Sequence, residues 1–326
     1  MSRLSIFSFD TLQFKYKNVL TKTAALALIG LIFVEVAIRT IIPAGQIPTG
    51  SWYNHTIRLQ YEELQKLQDV DIFFIGTSIS CVNIPPQVFD EELAQAGVNK
   101  ISFNAGIAGP DYEGVSAALR HLYWPQKQAK TAIVVVAPND LNTANPVVRE
   151  RTQKYIHSFE RPVFASLAVD FLSKFWLFGF RKELKEWLKN DWKFDKAVVG
   201  AKGFTPLPNK QRSRHKTSYR IEPEGRISQS FVELLLWLND QNVRAILVRG
   251  LTKPAEKKLI SAEQWQNFEK VLQRAEALPG VESIDVSSIE AAAEDFVDPL
   301  HIHQEAAHNY AKKLAQLFIE QNVLKK

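Results

Sequence analysis

The sequence has a single cysteine and a single methionine among 326 residues. The lone thiol, Cys81, cannot form an intramolecular disulfide, so a disulfide scaffold is excluded and cysteine usage says nothing of the redox compartment. At the end of "IGTSISC" it reads as a small buried residue rather than a reactive thiol. Neither sign of charge dominates. The excess of 40 Lys/Arg over 35 Asp/Glu is small and comes with no nucleic-acid-binding motif, so no nucleic-acid partner is expected. Internal repeats and low-complexity tracts are absent, and an apolar content of 46% supplies a substantial core.

Uninterrupted apolar runs are also short. The run from Ala24 to Val34 cannot span a bilayer by itself, but it continues through "EVAIRTII" to Pro43. Glu35 and Arg39, four residues apart, would face each other on a helix and can pair, and from Lys22 to Arg39 a helix would rise roughly 26 Å. Arg3, Lys15, Lys17 and Lys22 precede the run, opposed only by Asp10, and no small-x-small cleavage site follows it. The pattern predicts an N-terminal transmembrane helix of signal-anchor type, with residues 1–45 forming the cytoplasmic N-terminus and anchor. Residues 46–326 are then expected on the periplasmic or exterior face of the plasma (inner) membrane. A buried or amphipathic core helix is the alternative.

Beyond a polar link, "AGQIPTGSWYNHT", apolar runs at 70–76, 99–104, 131–137, 243–250 and 281–287 alternate with helical patterns. The helical stretches fall near 86–96, 111–126, 226–241, 261–276 and 303–322. The runs are nearly continuous in Val, Ile and Phe, as strands covered on both faces are, and the alternation predicts a three-layer α/β/α domain on a five-stranded parallel sheet. A long insertion at about 150–225 interrupts the alternation, aromatic and helical first, then rich in Gly, Pro and basic residues. From Arg181 to Arg220 there are 12 Lys/Arg against 4 Asp/Glu. Such a run is by default a solvated face; next to a membrane it also suits anionic lipid or an acidic polymer.

Four short elements fall at the carboxyl ends of expected strands, where open parallel sheets build their sites. "IGTSIS" places Ser78 just past Gly76, with Ser80 as a competing nucleophile. "FNAGIAGP" brings backbone close to a ligand, with the N–H of Gly109 a candidate oxyanion donor. "VVVAPNDLN" offers the side-chain amide of Asn139, within what is otherwise a common turn signal. "FVDPLHIHQEAAH" sets Asp298 three residues before His301, so that a carboxylate can orient an imidazole acting as general base. His303 and His308 compete for that role. An Asp/His/His metal site is a rival, although the spacing matches no zinc pattern, and no metal or cofactor is expected.

Taken in order, Gly-x-Ser, Asn-x-Gly-x-x-Gly, x-Asn-Asp and Asp-x-x-His resemble the blocks of the SGNH (GDSL-like) hydrolase family. The resemblance covers roughly residues 69–140 and 240–322. Thr77 stands where the family has aspartate, and Pro138 where it has glycine. The resemblance implies a flavodoxin-like sheet and ester chemistry by Ser78 with Asp298 and His301, with Gly109 and Asn139 as oxyanion partners. Anchor and insertion look most like the membrane-anchored subgroup acting on cell-envelope polymers, such as the O-acetylation proteins of alginate-type polysaccharides and the proteins of teichoic-acid D-alanylation. The function so implied is a serine esterase or O-acetyltransferase acting on an ester of an envelope carbohydrate, with a membrane-bound acyl-donor protein as a further partner. The alternative is a non-catalytic polysaccharide assembly or binding protein on the same fold.

Overall fold

The computed structural model describes residues 52–146, 199–209 and 218–325, with parts of 22–37 and 148–156. The chain divides into two units, Met1–Ser51 with Pro162–Asp195, and Trp52–Arg161 with Lys196–Lys326. In the first, residues 25–34 are helical and their apolar side chains are exposed. Among the described residues no helix is long and apolar enough to cross a membrane. The rest of the expected anchor and most of the expected insertion lie outside the described residues.

The second unit is an α/β domain on one five-stranded sheet. Its strands are β1 (Ile72–Gly76), β2 (Ser102–Asn104), β3 (Thr131–Val136), β4 (Arg244–Arg249) and β5 (Val281–Ile284). All are parallel, in the order β2-β1-β3-β4-β5. Among the described residues of this unit the α-helices longer than one turn are, in chain order, α1 (Trp52–Lys66), α2 (Ser78–Asn83), α3 (Pro86–Gln95), α4 (Tyr112–Ala118), α5 (Arg226–Asp240), α6 (Ala262–Glu276) and α7 (Gln304–Glu320).

Successive strand residues point to opposite faces, and each face has its own core. Phe73, Ile75, Val134, Val136 and Leu247 join residues of α1, α4, α5 and α6 on one side. Ile72, Phe74, Ile133, Val135, Ile246 and Val248 join residues of α3 and α7 on the other. This explains why β1, β3 and β4 read as unbroken apolar runs. Phe73 and Phe74 are both fully buried, and truncating either to alanine costs about 3–5 kcal/mol. Local signals fix several helix starts. Asp111 accepts from the N–H of Glu113 ahead of α4, Ser261 accepts from Gln264 ahead of α6, and proline occupies the first turn of α3.

Three expectations need correction. The strand expected over 281–287 is shorter, and it is not covered on both faces. β5 is an edge strand with Glu282 and Ser283 exposed, and Arg244 of β4 holds Glu282 through two hydrogen bonds of 2.9 and 2.6 Å. The helix expected over 111–126 is α4 followed by a π-turn, Leu119–Tyr123. The polar link is in fact helical from Trp52, and α1 was hidden because its buried stripe is partly polar. Gln60 is fully buried between Ile57 and Leu64, where it donates to the carbonyls of Gly106 (3.0 Å) and Gly203 (2.9 Å) and accepts from Tyr123 (3.0 Å).

The strand order reverses at β1: the chain passes to β2 on one side, then crosses to β3 on the other. In open parallel sheets the carboxyl edge at such a reversal is where sites form.

Candidate active site

The chain leaves β1 at Gly76, where a Cβ would lie 2.7 Å from the Val135 carbonyl oxygen. Thr77 stands at the N-cap position of the short helix α2 without a side-chain capping bond, and Ser78, half-buried, opens the helix. Asn104, at the end of β2, holds this helix from below. Its amide donates to the carbonyls of Ser80 (2.7 Å) and Ile84 (2.8 Å), and its oxygen accepts from Gly106 N–H (2.9 Å). Gly106 packs so closely that a Cβ there would meet the Cys81 nitrogen at 2.6 Å. The first Asn and Gly of "NAGIAG" thus shape the nucleophile's support.

Asp298 and His301 sit on the loop before α7. One carboxylate oxygen of Asp298 accepts from the backbone N–H groups of Leu300 (2.9 Å) and His301 (3.0 Å). The other lies 2.8 Å from His301 Nδ1, and His301 Nε2 lies 2.8 Å from Ser78 Oγ. With a carboxylate at Nδ1, the imidazole carries its proton there and leaves Nε2 free to accept from the serine hydroxyl. Burial raises the Asp298 pKa, but the hydrogen bond and charge of His301, with the two backbone N–H groups, outweigh it and hold the carboxyl well below the usual range. Asp298 is therefore ionised at any ordinary pH.

The two candidate oxyanion donors lie on the loops that follow β2 and β3. Gly109, half-buried with a φ of 108°, ends the loop after β2. That loop runs beside β1, with Ala105 N–H donating to Phe74 O and Ile107 N–H to Gly76 O, both at 2.9 Å. Asn139 lies in a 3-10 turn, Pro138–Leu141, directly after β3, and its side-chain amide has no hydrogen-bond partner among the described residues. β2 and β3 are the two neighbours of β1, so these loops stand on either side of the Ser78 turn.

The competing residues are placed elsewhere. Ser80 is fully buried, its hydroxyl without a hydrogen-bond partner among the described residues. Cys81 is buried too, and burial pushes its thiol up to about 11. His303 caps α7 by accepting from the N–H of Ala306, and the His308 ring packs near Phe204. Among the described residues no group of three or more His, Cys, Asp or Glu is placed to hold a metal ion.

Two residues of this region escaped the sequence reading. Asn83, at the end of α2, accepts from the N–H of Ile302 and donates to the carbonyl of Leu300, both at 3.1 Å, and so grips the backbone on both sides of His301. Asp140 is buried between the turns carrying Ser78 and Asn139. Asn83, before a Pro-Pro pair, and Asp140, in a Pro-Asn-Asp triplet, both look like ordinary turn residues. Farther along the carboxyl edge, a cavity of about 760 Å³ opens at the ends of β4 and β5, with Pro138, Gly250, Thr252, Trp265 and Phe296 in its walls.

No protein-family model matches the chain, and no curated protein matches it either. Among solved structures, the lipase/acylhydrolase from Enterococcus faecalis aligns at a TM-score of 0.43 and 12% identity, covering 77% of this chain and 96% of that one.

Proposed function

We propose that this protein is a membrane-anchored serine esterase or O-acyltransferase acting on an ester of a cell-envelope carbohydrate through an acyl-Ser78 intermediate. The observation that carries the reading is the unbroken relay Asp298–His301–Ser78, with 2.8 Å at each step, between residues 223 positions apart in the chain. A purely structural serine has no need of an imidazole whose far nitrogen is held by an ionised carboxylate.

The chemistry follows from the geometry. His301 Nε2 takes the Ser78 proton as Oγ bonds to the ester carbonyl carbon, and Asp298 stabilises the imidazolium that forms. The Gly109 N–H and the Asn139 amide receive the oxyanion. Collapse of the tetrahedral species breaks the bond to the alcohol oxygen, which leaves with the proton returned by His301. A water or a sugar hydroxyl, deprotonated by His301, then attacks the acyl-serine, and Ser78 recovers its proton.

The apolar stretch within residues 22–39, read from sequence as an anchor, and the basic residues of 181–220 support the membrane-facing part of the reading, with an acidic glycan or a membrane-bound acyl-donor protein as partner. The test is to incubate the full chain in detergent with an aryl acetate and with O-acetylated polysaccharide, quench in acid and map the peptides. Acyl groups on Ser78, abolished by His301→Ala, are expected. Turnover that persists in Ser78→Ala would sink the proposal.

A further inference from the structure

Past the Gly76–Val135 pair, no backbone hydrogen bond joins the loop after β1 to the loop after β3 among the described residues. One side chain makes the connection. Asp140 accepts from the Thr77 hydroxyl at 2.5 Å through one carboxylate oxygen and from the Ala137 backbone N–H at 2.8 Å through the other. Its own N–H donates to the Ala137 carbonyl at 2.9 Å, which closes the turn around Asn139. Thr77 and Asp140 are both about 5% exposed, and Ser78 and Asn139 are their chain neighbours.

We propose that Asp140 is a positioning residue for the reaction of Ser78: it ties the turn carrying the nucleophile to the turn carrying the Asn139 amide, and it places a second negative charge in the field of His301. This inference rests on the ester-cleaving reading above. Holding two turns together does not require a charge, since an asparagine reaches as far. The charge also has a cost. Burial pushes the Asp140 carboxyl up to about 6, against the hydrogen bonds of Thr77 and Ala137 and the charge of His301, which pull it down. The groups facing it are the Thr77 hydroxyl, the Ala137 N–H, His301 and Tyr112, whose buried phenol, bonded to the Val135 carbonyl, is raised further by the Asp140 charge. A carboxylate whose ionisation burial disfavours, in the longer-range field of an imidazole that becomes positive during the reaction, has a functional explanation. Above about pH 6 it favours the imidazolium that forms as Ser78 gives up its proton.

The experiment measures the rate at which a fluorophosphonate labels Ser78 in the full chain, from pH 5 to 9, alongside the melting temperature. It compares the wild type with Asp140→Asn, Thr77→Val and Thr77→Ser. Asp140→Asn is expected to label about ten- to a hundredfold more slowly at pH 8. The acid limb of its profile should lose the steepness of one proton, while its melting temperature equals or exceeds that of the wild type. Thr77→Val should slow labelling by a smaller factor, and Thr77→Ser, which keeps the hydroxyl, should restore it. Labelling of Asp140→Asn at the wild-type rate with an unchanged acid limb would overturn the inference. A parallel loss of labelling and of melting temperature at pH 5 and pH 8 alike would also overturn it, since a merely structural link predicts that. Folded wild type that takes no label at all would instead overturn the ester reading, a result visible before any substitution is made.

Discussion

Part-buried Asp298 is bonded to His301 and buried Asp140 feels its charge from farther off, yet their carboxyls move in opposite directions. Asp298 has the imidazole itself as hydrogen-bond partner, plus two backbone N–H groups, and these overcome burial. Asp140 has one hydroxyl and one N–H, both neutral, and only the more distant influence of His301, so burial prevails. The same residue type thus serves two ends within one site. On the proposed reading, the first carboxylate, held well below the usual range, orients the base, whereas the second, pushed up to about 6, carries its charge conditionally.

The sharpest way to break this contrast is to remove Asp298. Asp298→Ala should lower kcat/KM for an aryl ester by about 10³- to 10⁴-fold with little change in KM, because it disorients the base without touching the substrate's contacts. Asp140→Asn, at about ten- to a hundredfold, should stay well short of that; an equal effect would erase the distinction between the two roles.

Stability separates the pair by sign. The folded pKa of Asp298 is depressed, so its contribution is present above the unfolded value near 4 and disappears as pH falls toward the folded value. The folded pKa of Asp140 is raised, so its favourable contribution is present below about pH 4 and is lost as pH rises through about 6. Melting curves should therefore show Asp298→Ala most damaging at neutral pH and less so in acid. Asp140→Asn should instead gain on the wild type as pH rises from 4 to 7, by up to about 3 kcal/mol at roughly 1.4 kcal/mol per pKa unit.

Thr77→Asp sharpens the same comparison by setting a like charge against Asp140. The pair can then hold only one negative charge comfortably, and the acid limb of the pH–rate profile should move about one pH unit or more to the alkaline side. Asn83→Ala is expected to have the smallest effect. Leaving the Leu300 carbonyl and the Ile302 N–H without their partner should cost about 1–3 kcal/mol in urea unfolding and slow turnover modestly through a looser His301.

The parts legible in the sequence were those whose chemistry is announced by residue type. β1, β3 and β4 showed as continuous apolar runs because each packs against a core on both faces. Ser78, Asp298 and His301 stood out as residues able to move a proton at strand and helix ends. What stayed hidden was polar and buried. Gln60 interrupts the apolar stripe of α1 between Ile57 and Leu64, and its side chain replaces an apolar contact with hydrogen bonds to the carbonyls of Gly106 and Gly203. Asn83 and Asp140 bind backbone and neighbouring hydroxyls, so their importance lies in what folds against them rather than in their own reactivity. β5 was overextended because Val, Ile and Val recur in "VESIDVS" whether or not a second layer covers them.

The most direct measurement is a fluorophosphonate reaction on the full chain in detergent, read by intact mass and peptide mapping, with Ser78→Ala and His301→Ala alongside. A single adduct on Ser78 that disappears in both variants is the expected result. A well-folded wild type that takes no adduct, or one that takes it equally without His301, would contradict the relay of Asp298, His301 and Ser78.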